Sequence, residues 1–427
     1  MDNPKFKVII VGGSIAGLTL AHGLARQGID FIVLEKRPEV APQEGASIGI
    51  MPNGGRILDQ LGIFGAIEEQ IEPLDIAHLY WPDGFFFGTK APRIVNERQK
   101  LLTILFGSLT EKSKVYFNKS VVSIEEHSDG HVGVRTADGC YYSGDLVVGA
   151  DGVHSRVRAE MWRLADLQQP GLITEMEKKS LYDRGSFPGK DGRVYWFIME
   201  KLDRKYSYSE APRYSSEDAA NRCGQLKERK IWKDVKFGEL WDKREVVSKT
   251  ALEENVFQTW NFGPVVCIGD SMHKMAPNTG QGANCAIEDA ACLLNLLKEC
   301  YLEGCLRKPS RCELDTRLQQ FTKMRVERIT QVYKAARLLV RIHARDGLHM
   351  KLLGRYVIPY AGDVSADKAS ETVVGAPVLS FISPPKRCGP GWTSFQTRGL
   401  ITMPIRGTAM ILSLLVVGMT LYTLRVW

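Results

Sequence analysis

The stretch KVIIVGGSIAGLTLAHGLARQGIDFIVLEKR, residues 7–37, limits what this chain can fold into more than any other. KVIIV and FIVLE are short apolar runs of strand type. Between them, SIAGLTLAHGLARQG has helical periodicity and stops at Gly28. Strand, helix and strand in about 30 residues make the β-α-β unit of a dinucleotide-binding turn. Gly12 takes the tight bend and Gly17 lets helix and strand approach. Ser14 stands where a middle glycine is usual, and its hydroxyl is able to donate to a phosphate oxygen. The helix that starts here directs its N-terminal N–H groups and dipole at an anion. Glu35, at the end of the second strand, suits a carboxylate accepting ribose hydroxyls and repels a 2′-phosphate. The expected dinucleotide is therefore FAD or NAD, not NADP.

Two further motifs follow. LVVGADGVHSRVR is a buried strand ending at Asp151-Gly152, with Arg156 and Arg158 adding positive charge; read alone it is a strand-end turn. GDSMHKMAPNTGQGAN places Asp270 after another strand, where it is able to hold a ribityl or ribose hydroxyl. Pro277 and the glycines shape a loop, and a helix from about Gln281 points its positive end back at the site. Residues 314–345 form another long helix.

Composition excludes some classes. The chain has 427 residues, 44% hydrophobic and 25% charged, as an ordinary globular protein has. Its nine cysteines form no C-x-x-C pair and no zinc spacing, so reduced thiols and no metal are expected. Residues 298–355 hold 14 Lys/Arg against 6 Asp/Glu, read as a solvated helix face, and without aromatic interleaving nucleic acid is not expected as a partner. Gly407 to Leu424 is uncharged over 18 residues, flanked by Arg406 and Arg425. As a helix it would reach about 27 Å, near the roughly 30 Å of a hydrocarbon core. It is expected to be a transmembrane segment, leaving the body in the cytosol.

The three motifs in this order resemble the group A flavoprotein monooxygenases, of the para-hydroxybenzoate hydroxylase fold, over residues 5–350. GASIGIMPNGGRILDQLG, WRLADLQQPGLITE, GRVYWFIMEKLDRKYSY and HKMAPNTGQGANCAIEDAA resemble the fungal FAD-dependent monooxygenases that epoxidise prenyl chains in indole-diterpene and meroterpenoid biosynthesis. The resemblance implies an α/β fold: a Rossmann-like FAD-binding domain with an inserted β-rich substrate domain, plus the C-terminal transmembrane helix. It divides the chain into FAD-binding parts at 1–160 and 261–350, a shortened substrate domain at 161–260, a linker at 351–406 and the membrane segment at 407–424. It implies bound FAD, NADPH as a transient reductant, O2 and a prenylated small-molecule substrate, with the body on the cytosolic face of the endoplasmic reticulum.

By the same resemblance Glu35 binds the adenosine ribose and Gly49 approaches the flavin. Arg98 binds the phosphate region from a helix start; Asp270, Gly282 and Ala283 hold ribityl and ring. Tyr206 is the catalytic residue, with Tyr208 as the alternative, and His273 is structural. The chain departs from the family in two places. APRIVNERQ lacks an extra strand before NERQ, and several tens of residues are missing between EMEKKS and LYDRGSFPGK. An aromatic-ring hydroxylase on the same fold and a non-catalytic shortened paralogue remain alternatives.

Overall fold

The computed structural model describes residues 6–383, apart from 42–46, 71, 81–85, 128–129, 171, 174–178, 181–185, 189–193, 197–205, 208–211, 233, 245–246, 248, 250–253, 303–307, 344 and 361–374. The first strand, β1 (Lys7–Val11), is buried from Val8 onward, as an apolar run at the centre of a parallel sheet is. Helix α1 (Ile15–Gln27) follows and ends on Gly28, whose left-handed backbone (φ 68°) lets its N–H reach the carbonyls of Ala25 and Leu24. β2 (Asp30–Leu34) then pairs parallel with β1, Val8 opposite Phe31.

A separate antiparallel layer comes next. β3 (Ser47–Ile50) leads into α2 (Pro52–Gln60), and β4 (Glu72–Tyr80) returns as β5 (Phe86–Glu97), in the order β3-β5-β4. APRIVNE is thus the end of a 12-residue strand that runs straight into α3 (Arg98–Gly107). A short β6 (Val115–Tyr116) joins β2, and a three-stranded meander occupies 121–144.

β7 (Leu146–Gly149) inserts on the far side of β1, α4 (Arg156–Gln168) follows it, and the hairpin β8 (Asn261–Phe262) and β9 (Val265–Cys267) completes the sheet. The order is β8-β9-β7-β1-β2-β6, parallel except for β8. α5 (Gln281–Leu297), almost wholly buried, packs on α1, and α6 (Arg311–His343) packs on α5.

Two expectations change. No helix among the described residues is long and apolar enough to cross a membrane. Residues 407–424, where that helix was expected, lie outside the described residues. The fold class shown is the α/β architecture alone, and the expected transmembrane helix, with a single-pass location on the endoplasmic reticulum, is not supported among the described residues. The chain stays helical through Tyr360, and its described end is fastened down. Gln60 Nε2 donates to the carbonyls of Leu379 (2.9 Å) and Ile382 (3.0 Å), Leu379 N donates back to Gln60 Oε1 (2.9 Å), and Asn295 Nδ2 donates to Val378 O (2.8 Å).

Candidate functional site

The ends of β1, β2, β7 and β9 deliver the motif residues to one edge of the parallel sheet, where open α/β sheets bind ligands. Gly12 has φ +107° and its N–H donates to Leu34 O (2.9 Å); a Cβ there would lie 2.4 Å from Ala150 O. A Cβ on Gly17 would lie 2.0 Å from Gly12 O. Ser14, by contrast, has an extended backbone (φ −99°) that any residue adopts, which is why a serine serves there. It precedes the first turn of α1, where no acidic side chain offsets the helix dipole.

Glu35, 4% exposed, stands beneath this turn. Its Oε2 accepts from Gly13 N (2.7 Å) and its Oε1 from Arg37 N (2.9 Å), so the carboxylate is oriented by two backbone donors and still has lone pairs to offer a diol. Arg98, first residue of α3, donates from Nη2 to Ser14 Oγ (3.2 Å). That bond puts a guanidinium over the mouth of the turn and leaves the serine proton free to donate.

Asp270 follows β9 in a single turn of 3-10 helix and opens toward solvent, with its Oδ1 3.9 Å from where a Cβ on Gly282 would be. The protein massed around it pushes its carboxyl upward from the usual range, against His273, Lys274 and Arg98. Gly282 and Ala283 lie in the first turn of α5, which also lacks acidic side chains. Gly49 of β3 faces the start of α5: a Cβ on it would be 4.0 Å from Gly280 Cα. The structure thus brings Gly12, Ser14, Glu35 and Arg98 together, and Gly49, Asp270, Gly282 and Ala283 together. Glycines where a Cβ would intrude, a buried carboxylate and two unopposed helix N-termini fit a flavin dinucleotide. Its bound ring system supplies redox chemistry and the activation of O2.

Four residues singled out in the sequence have local surroundings of their own. Asp151 caps α4: it accepts from Arg156 N (2.6 Å), Val157 N (3.1 Å) and the Ser155 hydroxyl. Arg156 reaches Val122 O, and Arg158 is buried between Ser271 O, Trp162 and Phe257, so both charges are used within the fold. Tyr206 lies in a two-residue strand (Tyr206–Ser207) paired with Lys179–Ser180, apart from the central sheet; Tyr208 lies outside the described residues. A cleft of about 660 Å3 opens between Gln168 and Gln169 at the end of α4, edge strand β8, and Arg311 and Asp315 of α6; none of the predicted site residues lines it.

Sequence reading missed Asn284. Fully buried, it donates from Nδ2 to Gly49 O and Gly280 O (both 2.7 Å) and accepts from Met51 N (2.9 Å), clamping β3 to the start of α5. Its only signal was position, one turn past Gly280. Reading also missed Glu288, Asp289 and Arg325, three fully buried charges behind the site.

A parallel sheet whose first crossover cradles an anion and whose edge gathers a ribose-type carboxylate and a second helix N-terminus defines a flavin-dinucleotide protein. A family model described as FAD binding domain matches residues 5–171 and 211–307. The FAD-dependent monooxygenase olcE of Penicillium canescens is 51% identical, covering 93% of this chain and 94% of its own length; spyC of Aspergillus fumigatus, with the same description, is 49% identical over 92% and 91%. The chain belongs to these FAD-dependent monooxygenases, and FAD is its cofactor. The alignment with olcE is 439 residues long although the chain has 427, so part of that relative has no counterpart here. Among solved structures, HpxO of Klebsiella pneumoniae, complexed with FAD and uric acid, shares the fold with a TM-score of 0.68 at 20% identity, over 87% of this chain and 97% of that one.

Proposed function

We propose that this monooxygenase uses NADPH as a transient reductant and transfers one oxygen atom from O2 to a prenyl double bond of a lipophilic terpenoid precursor in fungal secondary metabolism. In this reading residues 1–160 and 261–350 carry FAD, and the β-rich parts between them face the substrate. Glu35 binds the adenosine ribose, Arg98 and the Ser14 hydroxyl the pyrophosphate, Asp151 the cofactor through the turn it caps, Asp270 the ribityl chain, and Gly49, Gly282 and Ala283 the ring. Tyr206 contributes to the substrate side. The observation that carries the cofactor assignment is the Glu35 carboxylate fixed by Gly13 N directly beneath the Gly12–Gly17 turn. What supports the substrate class is the resemblance of the four sequence windows to prenyl-chain epoxidases and the half-identity to the fungal relatives.

Glu35→Ala is expected to purify colourless or nearly so, read from the flavin absorbance per protein; a wild-type flavin content would refute the assignment. For the reaction, the full chain is incubated with NADPH, air and a geranylgeranyl-indole. A product heavier by one oxygen is expected, and a reduced or unchanged alkene would exclude epoxidation of that substrate.

A further inference from the structure

Glu288 and Asp289 are adjacent carboxylates inside α5, neither exposed at all. A protein interior holds such charges only when they are compensated and hydrogen-bonded. The compensation comes from α6, a helix beyond the residues that the FAD-binding family model matches. Arg325, 2% exposed, donates from Nε to Asp289 Oδ1 (2.7 Å), from Nη1 to Glu288 Oε2 (2.9 Å) and from Nη2 to Cys285 O (3.2 Å). Arg328 Nη2 adds a bond to Glu288 Oε1 (3.0 Å). Burial pushes both carboxyls up, but Arg325 acting with Arg328 and Asn53 at Glu288, and with His273 and Gly269 N at Asp289, outweighs it, and both lie below the usual carboxylate range.

The remaining bonds of this pair all lead toward the flavin site. Asp289 Oδ2 accepts from Gly269 N (2.8 Å) and meets His273 Nε2 (2.8 Å), the two flanks of the turn that carries Asp270. Glu288 Oε1 accepts from Asn53 Nδ2 (2.7 Å), which also donates to Gln281 Oε1 (3.0 Å). Asn53 belongs to the segment that follows Gly49, and Gln281 opens the helix that carries Gly282 and Ala283. Three separate segments of the site are therefore fastened through two carboxylates to Arg325, which alone bonds both of them, while Arg328 is a second donor to Glu288 only. Apolar packing would hold the same helices together, but it would not fix a turn by directional bonds.

We propose that Arg325 is a positioning residue of the flavin site: through Asp289 and Glu288 it sets the relative placement of the Gly269–Asp270 turn, the first turn of α5 and the segment after β3, and with them FAD affinity and flavin redox potential. The inference rests on the assignment of those three segments to FAD. Lysine at this position keeps the charge and cannot make the three-way fork, so Arg325→Lys separates position from charge.

Three quantities are read. FAD affinity is taken from free-flavin fluorescence as the holoenzyme is diluted, the flavin midpoint potential from dye-coupled reduction, and the melting temperature with and without excess FAD. The expected result is FAD bound at least about tenfold more weakly, the order expected from lost charged hydrogen bonds. A displaced midpoint potential and a smaller FAD-induced gain in melting temperature accompany it, with an unchanged far-UV circular dichroism spectrum. Should that variant not fold, Asn53→Ala cuts only the limb to α2 and is expected to move affinity and potential in the same directions. FAD affinity within about twofold of wild type and an unmoved potential, in whichever of the two variants folds, overturn the proposal. Glu35→Ala run alongside tells the two failures apart. If it loses FAD while the Arg325 variant does not, only the role of Arg325 falls; if it keeps FAD, the site assignment falls and the proposal with it.

Discussion

Gly17 and Ser14 show how differently two positions of one turn are constrained. Ser14 has ordinary backbone, so the missing middle glycine of the motif costs nothing in conformation and adds a hydroxyl next to Arg98. Gly17 has no such freedom: its Cβ position is occupied by the carbonyl oxygen of Gly12. Gly17→Ala must therefore push α1 off β1, and it is expected to lower stability by about 1–3 kcal/mol and to reduce bound FAD. Urea unfolding and flavin absorbance check both effects; a stable, fully yellow variant would contradict the geometry. The glycines and Glu35 were legible in the sequence because a turn imposes them locally. Asn284 and Arg325 were not, since their partners lie up to 235 residues away in the chain. For Arg325 a trace did exist: it falls in the buried stripe of α6 formed by Leu314, Leu318, Phe321, Ile329, Val332, Ala336 and Val340, a charge where the period calls for an apolar side chain.

Among the elements, α4 is the case in which a motif residue has a second and local task. Asp151 accepts two backbone N–H groups of its first turn, and Ser155 accepts the N–H of Arg158 (2.9 Å). Each serves donors that a helix start leaves unsatisfied. Asp151→Ala is expected to cost about 1 kcal/mol through this cap alone, as is Ser155→Ala. Equal losses of stability in the two, with FAD lost only in the Asp151 variant, would give Asp151 a part in cofactor binding; equal FAD contents would leave it the cap alone. Helices α1, α5 and α6 and strands β1, β2, β7 and β9 were readable from periodicity, since each is buried along one face or throughout, whereas α4 was hidden behind what read as a strand-end turn. The antiparallel layer of β3, β4 and β5 was not. Its long strands alternate weakly, and β4 contains a proline, so nothing in the run APRIVNE distinguished a strand end from a missing strand.

Over the whole molecule the buried charges govern the response to acid. Glu288 and Asp289 have folded pKa values below their unfolded ones, so their contribution to stability is complete above the unfolded value of about 4. It is lost as the pH falls through the folded values. Asp270, raised in the fold, acts in the opposite sense and gains on acidification. Glu254 is raised by burial as well, whereas Asp138, Asp218 and Glu228 are lowered by their partners at the surface, so the carboxyls lowered in the fold outnumber those raised. The urea midpoint is therefore expected to drop below about pH 4, and to drop less in Asp289→Asn; a midpoint that rises on acidification would overturn this account.

The order of strands in the central sheet has a consequence for how the chain is made. β1 lies between β2, which follows it at once, and β7, whose first residue is Leu146; β9, at Val265–Cys267, closes the far side of β7. The flavin turn, although complete in sequence by Glu35, has no wall against Ala150 and no Asp270 opposite it until residue 270 has left the ribosome. At about 5–20 residues per second, the first β-α-β unit waits some tens of seconds with its apolar faces uncovered. FAD capture is therefore expected only after the strand carrying Val265–Cys267 and the turn at Asp270 have emerged, not while the N-terminal unit is being synthesised.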